Sequence, residues 1–577
     1  MKQLINSQNR MRRYIYSLLL IVITFDGFAV HFFGNVDKYE LRERIYLQTD
    51  KHLYLSGEQV LMKVFTTDTE QIPIALSKIA YVELVDDSIA RIQIMIELTD
   101  GTSAGRIQLP TNLPTGYYRL IAYTQFMKNE GIDVFFEKKI AVINVFQSND
   151  HPVQVELLTE NNFSPAEENE FDMVSLQPDK TSYTTRERGE LLLNGLPENI
   201  HTLSVSIAGK EFLPIGESDI SLFLKNQTKK STTFTGEFLP EYEGHIITGK
   251  IIDNQIENAG DDMLLIPCIS FPEKGIRFFA GQKNNTEYVR FFTSGISGTK
   301  EIATIVYNTD ERYRLDIQSP FVNQYTAEPT PALRLDSAYN GQLLERSVAL
   351  QVLHYFSENL PAHQHISEPY FKMLPTCSYL LSEYTRFMTM REIFSEFIVG
   401  SRFRKKDEKW ELSVLVKKGH DYIYGTMPLV LLDGVPISDH SVIYGYDPFS
   451  VERINIYYGP IVLGGYTFDG IVELTTYRHL HQDLQLNGSL QILTYEAPQL
   501  PYRLDTPDYS MGKNRQSRIP DGRHTLLWNP NVQTDGKTSI RLPFDTSDLT
   551  GEFQATMEGV TKDGEMIYTT SFFTVDR

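Results

Sequence analysis

The sequence predicts a mainly β, multidomain protein that carries one small α/β unit and one helical insert. Three observations predict it. A motif of charged and aromatic residues occurs twice near the front of the chain, each time between two strand-like runs. Short segments of alternating polarity, bounded by turn residues, fill most of the remaining length. Between about 334 and 400 the apolar spacing becomes helical. The 577 residues suffice for roughly three to five domains. A 41% hydrophobic and 12% aromatic content, with 32 Tyr and 33 Phe, supplies several cores and suits strands.

The N-terminal segment comes first. Lys2, Arg10, Arg12 and Arg13 precede the apolar run "YIYSLLLIVIT", which is short of the about 20 residues a bilayer span needs. Residues 1–29 therefore predict a signal peptide cut near Ala29, with an uncleaved anchor as the competing reading. No cysteine lies nearby to take a lipid. The expected location is exported, in the periplasm or outer membrane of a Gram-negative bacterium, with membrane association through partners and not through a transmembrane helix. Cys268 and Cys377 are the only cysteines, which excludes a disulfide-rich scaffold. They either form one bridge or stay as two buried thiols, and two thiols is the preferred reading. The 54 basic against 74 acidic residues leave a net charge of −20, which repels phosphate and argues against a nucleic-acid partner.

The repeat follows. "LQTDKHLYLSGEQVLMKV" starts at Leu47 and "LQPDKTSYTTRERGELLLNG" at Leu176. Leu47, Gln48, Asp50, Lys51, Tyr54 and Glu58 match Leu176, Gln177, Asp179, Lys180, Tyr183 and Glu187 at identical spacing. Two copies of one β-domain in tandem are expected, over 40–148 and 170–240. Strand candidates such as "IAYVELVDD", "ARIQIMIEL" and "GYYRLIAYTQFM" continue the first copy. The motif residues Gln48, Asp50, Lys51, Tyr54, Gly57 and Glu58, with "LPTGYYRLIAYT" behind them, resemble the macroglobulin-like domains of the α2-macroglobulin superfamily, in particular the copies in large envelope proteins of Bacteroidetes. The resemblance implies immunoglobulin-like, seven-stranded sandwiches. It does not imply protease trapping, because the thioester of complete macroglobulins needs Gly-Cys-Gly-Glu-Gln, and neither "IPCIS" nor "LPTCSY" supplies it.

A third β-module is expected over 242–322, opening with "GHIITGKI". It resembles the transthyretin-like carboxypeptidase regulatory domain, which implies a spacer. The helical insert, 334–400, places Leu343, Leu344, Val348, Leu350, Leu353 and Phe356 at helical intervals. "YLLSEYTRFMTMREIFSEFIVG" is its second helix candidate, with Ile393 and Phe394 apolar.

Over 385–480 the sequence reads as a compact α/β unit. "PLVLLDGVPI" sets two apolar runs around Asp433-Gly434, a turn dipeptide. The series Leu431, Asp433, Gly434, Val435 and Pro436, then Asp447, Val451, Glu452 and Ile454, then Gly459, Gly464 and Gly470 with Ile471, Val472, Thr475 and Thr476, resembles the plug domain of TonB-dependent outer-membrane receptors. In those receptors the plug fills a barrel of about 22 strands. Only 100 residues follow Tyr477, too few for that many spanning strands of about 9–11 residues each. The resemblance thus implies a plug fold without its own pore, either docking to another envelope component or kept as a structural domain. A last β-sandwich is expected over 500–577.

Reactive chemistry is sparse. His363 with His365 and His479 with His481 are spaced to share a strand face, but neither pair has a Cys or carboxylate at zinc-site spacing. "TSGISG" is not a nucleophile elbow, and no phosphate loop or His-Glu-x-x-His occurs. The expected protein is non-enzymatic, with no catalytic, cofactor or metal site. It is expected to be an outer-membrane-associated binding or docking accessory whose partner is a β-barrel or other envelope protein, in TonB-linked uptake. The alternative is a macroglobulin-type surface adhesion or host-protein-binding factor without the thioester.

Overall fold

Asp50 and Asp179 occupy the same place in two copies of one folding unit. The computed structural model describes residues 41–146, 154–155, 174–211, 219–227, 233–253, 265–272, 275–283, 288–307, 312–326, 333–335, 339–357, 371, 373–478 and 489–577. In the first copy, β1 (Arg44–Thr49), β3 (Gln59–Thr67) and β6 (Thr102–Gln108) form one sheet. β2 (Leu53–Leu55), β8 (Phe136–Ile143), β7 (Gly116–Tyr123), β4 (Ile79–Asp86) and β5 (Ile89–Glu97) form the other, in that order. Leu47, Val60, Val64, Val82, Leu84 and Leu120 share the core between them. β1 is buried along its whole length, because α1 (Asp219–Gln227) lies over its outer face, with the Phe223 ring edge-on to Tyr46 at 5.3 Å.

The second copy has the same strand order but is split in sequence. β9 (Ser175–Pro178), β10 (Ser182–Thr184), β11 (Arg188–Asn194) and β12 (Ile200–Gly209) supply half of it. β29 (Thr525–Asn529), β30 (Ser539–Asp545), β31 (Gly551–Thr561) and β32 (Met566–Asp576) supply the rest. The sheets run β9–β11–β30 and β10–β32–β31–β12–β29. Even the one parallel pairing recurs: Tyr54 lies opposite Val142 and Tyr183 opposite Val575. Where the first copy turns from β4 into β5 at Asp87, the second inserts the whole of 210–524. This corrects the expectation of one sandwich at 170–240 and another at 500–577, since they are halves of one eight-stranded domain. Leu191, Leu193, Val205 and Ile207 have too few partners within 174–209 to make a core. Phe544, Phe553, Ala555 and Phe573 complete it.

The insert holds two further modules. β13 (Ile246–Asp253), β14 (Ile266–Ser270), β15 (Phe278–Ala280), β16 (Gln282–Lys283), β17 (Tyr288–Phe292), β18 (Thr299–Tyr307) and β19 (Tyr313–Ile317) make a two-sheet sandwich. Its sheets are β16–β17–β13–β19 and β15–β14–β18–β28, where β28 (Gln491–Glu496) arrives from far beyond the expected limit at 322. β18 otherwise exposes an edge, and the six-residue ladder to β28 covers it.

The α/β unit begins earlier than expected. β20 (Cys377–Leu380) pairs with β26 (Val451–Leu463), so the segment read as a second helix of the insert is part strand. A single 3-10 turn (Leu381–Glu383) and α3 (Met390–Glu396) are helical there, α3 started by a capping box between Thr389 and Glu392. β21 (Ser401–Lys406), β22 (Lys409–Lys418), β23 (Asp421–Gly425), β24 (Leu429–Leu432), β25 (Val435–Pro436), the short α4 (Ser441–Tyr444) and β27 (Tyr466–Thr476) complete a mixed sheet. The true insert helix is α2 (Asn340–Ser357), of which Leu343 and Leu350 are buried while Leu344 and Val348 are exposed. Cys268 and Cys377 are separate free thiols, Cys268 buried and Cys377 half-buried. The expected signal peptide and the pairs His363/His365 and His479/His481 lie outside the described residues. Among the described residues no helix is long and apolar enough to cross a membrane.

The split domain predicts that removing 525–577 unfolds the second sandwich. A chain ending at residue 524 should lose one cooperative transition in a calorimetric melt, with new binding of a hydrophobic dye. An unchanged set of transitions would mean that 174–209 folds without its C-terminal half.

Candidate functional site

The repeated motif builds the same polar turn twice. In the first copy the Tyr54 hydroxyl donates to Asp50 Oδ1 at 2.8 Å and accepts from the Lys51 amide at 3.2 Å. Asp50 Oδ1 also takes the Leu61 amide, and Lys51 Nζ reaches Glu58 at 3.2 Å. In the second copy Tyr183 donates to Asp179 at 2.7 Å, the Lys180 amide donates to Tyr183 at 3.1 Å, and Lys180 pairs with Glu187. A short Asp–Tyr bond locks the turn while the carboxylate ties it to the next strand. The primary role of these residues is local architecture.

The first copy's motif has a second use, as the joint between sandwiches. Gln48 accepts from Ser204 on β12, and Asp50 Oδ2 accepts from Thr525 at 2.7 Å. Arg346 on α2 grips Glu58 with two bonds of 2.7 Å and gives a third, at 2.8 Å, to the Leu53 carbonyl. Gly57, at φ 95°, leaves the room that Leu350 and His354 of α2 occupy. Burial pushes the Glu58 carboxyl up, but Arg346 and Lys51 outweigh it and hold it well below the usual carboxylate range. Further along, Lys138 meets Asp219 of α1 at 2.6 Å, and Tyr46 donates to Glu558 of β31. Burial, reinforced by the Asp219 charge, raises Glu558.

Two polar clefts flank this joint. One, of about 330 Å³, is lined by Lys210, Glu211, Tyr339, Arg346, His524 and Phe553. The other, of about 240 Å³, is lined by Lys51, His52, Asp219, Glu558 and Tyr568. Glu211 accepts the amides of His52 and Leu53 at 3.0 and 2.8 Å, so it caps the free edge of β2. Burial raises its carboxyl to about 7, against the pull of those amides and of Arg346. Desolvation, then the nearby Lys138 charge, lowers His52 to about 4. Among the described residues no group of three His, Cys, Asp or Glu could hold a metal ion.

The α/β-unit residues read from the sequence also act on the backbone. Asp433, at φ 50°, turns β24 into β25, and its carboxylate takes the Thr476 amide at 2.7 Å and hydroxyl at 2.6 Å. Leu431 and Pro436 face each other across that hairpin, which Gly434 and Val435 complete. Asp447 caps the turn before β26 by accepting the Phe449 amide. Ile454 is buried opposite Leu474, and Glu452 is half-buried beside it. A Cβ on Gly459 would lie 2.4 Å from the Asp469 carbonyl, and one on Gly470 2.6 Å from the Tyr457 oxygen, so both glycines permit the tight crossing of β26 and β27.

No family model matches the chain, and no curated protein does. Among solved structures, the chain is similar to Salmonella alpha-2-macroglobulin reacted with methylamine, at 10% identity and a TM-score of 0.23 over 92% of this chain and 39% of that one. It is similar to Escherichia coli alpha-2-macroglobulin activated by porcine elastase, at 10% identity and 0.24 over 92% and 44%. It is also similar to the Escherichia coli adhesin FdeC, at 10% identity and 0.13 over 49% and 63%. The chain spans about two fifths of the macroglobulins' length.

What sequence reasoning missed is the other half of the joint. Arg346, Glu211, Asp219, Lys138 and Glu558 sit up to hundreds of residues from the motif, and no local pattern marks them. The buried Arg346–Glu58 pair predicts that Arg346→Ala costs about 3 kcal/mol, because it leaves a buried carboxylate with Lys51 as its one cation and removes the bond to the Leu53 carbonyl. Arg346→Met with Glu58→Gln should recover most of that in denaturant titrations.

Glu211 predicts a pH dependence. Its folded-state pKa of about 7 exceeds the ordinary carboxylate value of 4.5, so the folded form holds the proton more tightly. That stabilisation is complete below about 4.5 and is lost as pH rises through about 7. The melting temperature of Glu211→Gln should therefore fall less steeply than that of the parent between pH 4.5 and 7.5. Parallel curves would show that Glu211 ionises normally.

Proposed function

We propose that the chain is a non-enzymatic cell-envelope protein that acts as a binding or docking accessory at the outer membrane, in TonB-linked uptake. The two macroglobulin-like sandwiches are its scaffold, and the plug-like α/β unit is its docking element for an outer-membrane β-barrel.

The observation that carries this reading is an aromatic patch on the α/β unit. Tyr384 and Phe397 stack in parallel with centroids 4.5 Å apart, and Phe387 packs beside them. Arg386 lies over the Phe449 and Tyr477 rings at 6.0 and 5.8 Å and donates to the Tyr477 hydroxyl at 2.7 Å. Met388, Val399, Phe449 and Tyr477 are 75, 61, 48 and 48% exposed. Ring stacking and the arginine hold these groups in place before any partner arrives, which lowers the ordering entropy that binding costs. Exposed aromatic and methionine side chains around an arginine are the composition of an interface centre.

A photo-crosslinking residue placed at Met388 or Phe449 in cells should give an adduct with a protein whose migration shifts on heating, as barrels do. The same residue at Ile89, exposed on the first sandwich, should not. Equal adducts from all three sites, or none from Met388 and Phe449, would sink the docking reading.

A further inference from the structure

The molecule is strongly acidic overall, yet one sheet face of the α/β unit is strongly basic. The register Arg402–Ser413, Arg404–Glu411, Lys406–Lys409 and Lys417–Tyr422 puts Arg402, Arg404, Lys406, Lys409 and Lys417 on the outer face of β21–β22–β23. The opposite face carries Leu412, Val414 and Val416 inward. Glu411 is the single carboxylate on the outer face, and Arg404 and Lys406 share it at 3.6 and 3.4 Å. Lys409 reaches Asp439 only at 3.8 Å and is 72% exposed. Among the described residues no carboxylate stands within ion-pair distance of Arg402 or Lys417. Arg402 instead lies over the Tyr424 ring, 3.8 Å from its centroid. At the distal end of the ribbon Tyr422 is 54% and Ile423 42% exposed.

We propose that this face is a membrane-contact surface, which seats the α/β unit on a bilayer rich in anionic headgroups. Charge complementarity selects the ligand chemistry. Five basic side chains against the one Glu411 leave four surplus positive charges on a face three strands wide, and these meet phosphate-bearing headgroups. The flanking aromatics select a bilayer over a soluble polyanion, since tyrosine rings settle at the level of the headgroups beside basic side chains. Arg402 adds a planar guanidinium whose faces and edges suit both ring and phosphate. The surplus corresponds to a preference for anionic over neutral bilayers on the order of 10²–10³-fold. This contact is made by the chain's own residues and does not rest on docking to a barrel. A chain that forms no barrel adduct can still bind lipid, so the two readings fail separately.

Co-sedimentation of the purified chain with vesicles tests it. Vesicles of 70% phosphatidylcholine and 30% phosphatidylglycerol should retain the protein at low salt and release it as salt rises, while pure phosphatidylcholine should not retain it. The triple variant Arg402→Glu, Arg404→Glu, Lys406→Glu should lose retention at least tenfold with its melting temperature unchanged. If that variant melts early, the neutral pair Lys409→Gln, Lys417→Gln should still weaken retention several-fold. Tyr422→Ala with Ile423→Ala should weaken vesicle binding and leave binding to heparin unchanged. Equal retention on neutral vesicles, full retention of the charge variants, or binding to heparin or DNA with none to vesicles would each overturn the proposal.

Discussion

One backbone hydrogen bond closes the base of everything between the two halves of the second sandwich. The Gly209 amide donates to the His524 carbonyl at 3.0 Å, at the end of the ladder that pairs β12 with β29. Next to it the Lys210 amide donates to Glu552 at 2.8 Å. Entry and exit of the inserted segment are thus neighbours on adjacent strands. A domain whose ends lie side by side can replace a hairpin turn without disturbing the host sheet. The host then imposes a condition, because its core forms only once β29 to β32 have been made. The two-sheet module of β13–β19 and β28, the α/β unit and α2 are all held between the two halves of that domain.

That closure explains why the joint between sandwiches is polar and crowded with charge. Glu211 follows directly on the insert's first bond, and His524 and Thr525 precede and begin β29, where the host sandwich resumes. They come down beside the turn made by Asp50, Lys51 and Glu58. Apolar contact alone would let the sandwiches slide over each other. A set of partnered donors and acceptors with fixed directions, such as the fork of Arg346 on Glu58, fits one relative orientation. Desolvating those groups costs stability, and the cost is offset only while every partner is present. The aromatic packing of Tyr46, Phe65 and Phe223 beside it supplies the net stabilisation.

The legible parts of this architecture are the local ones. The repeat predicted two sandwiches because the Asp–Lys–Tyr–Glu turn is made by residues within about ten positions of each other, so its signature survives in sequence. The Asp433-Gly434 turn was readable for the same reason. Strand content followed from alternation. Domain boundaries did not, because β30 and β28 pair with strands hundreds of residues away and alternate no differently from strands of a separate domain. The segment after Ser378 misled in another way. Its aromatic residues fall at helical intervals, yet Tyr379 faces Ile454 across a strand ladder, since pairing to β26 outweighs a weak local preference. The basic face was hidden by averaging, as a net charge of −20 says nothing about where the positive residues gather.

The differences between the two copies decide where α2 sits. On the first copy the edge formed by β2 and β8 presents Leu53, Leu55, Ala141 and Ile143, which join Leu343 and Leu350 in one buried cluster. The matching positions of the second copy, set by the same parallel register, are Ser182, Thr184, Thr574 and Asp576. All four are exposed there. An apolar helix face has nothing to gain on that edge, whereas burying a leucine on the first is worth about 1.5–3 kcal/mol. The turn agrees with the edge. Gly57 leaves space for the helix, while its counterpart Arg186 adopts the same left-handed conformation and fills the space with its own side chain, paired to Asp548 at 2.7 Å. Glu58 then receives Arg346 as a second cation, and Glu187 keeps only Lys180. The repeated motif therefore serves as a solvent-facing turn in one copy and as an anchor in the other, and the polarity of a few side chains at one sheet edge makes the difference.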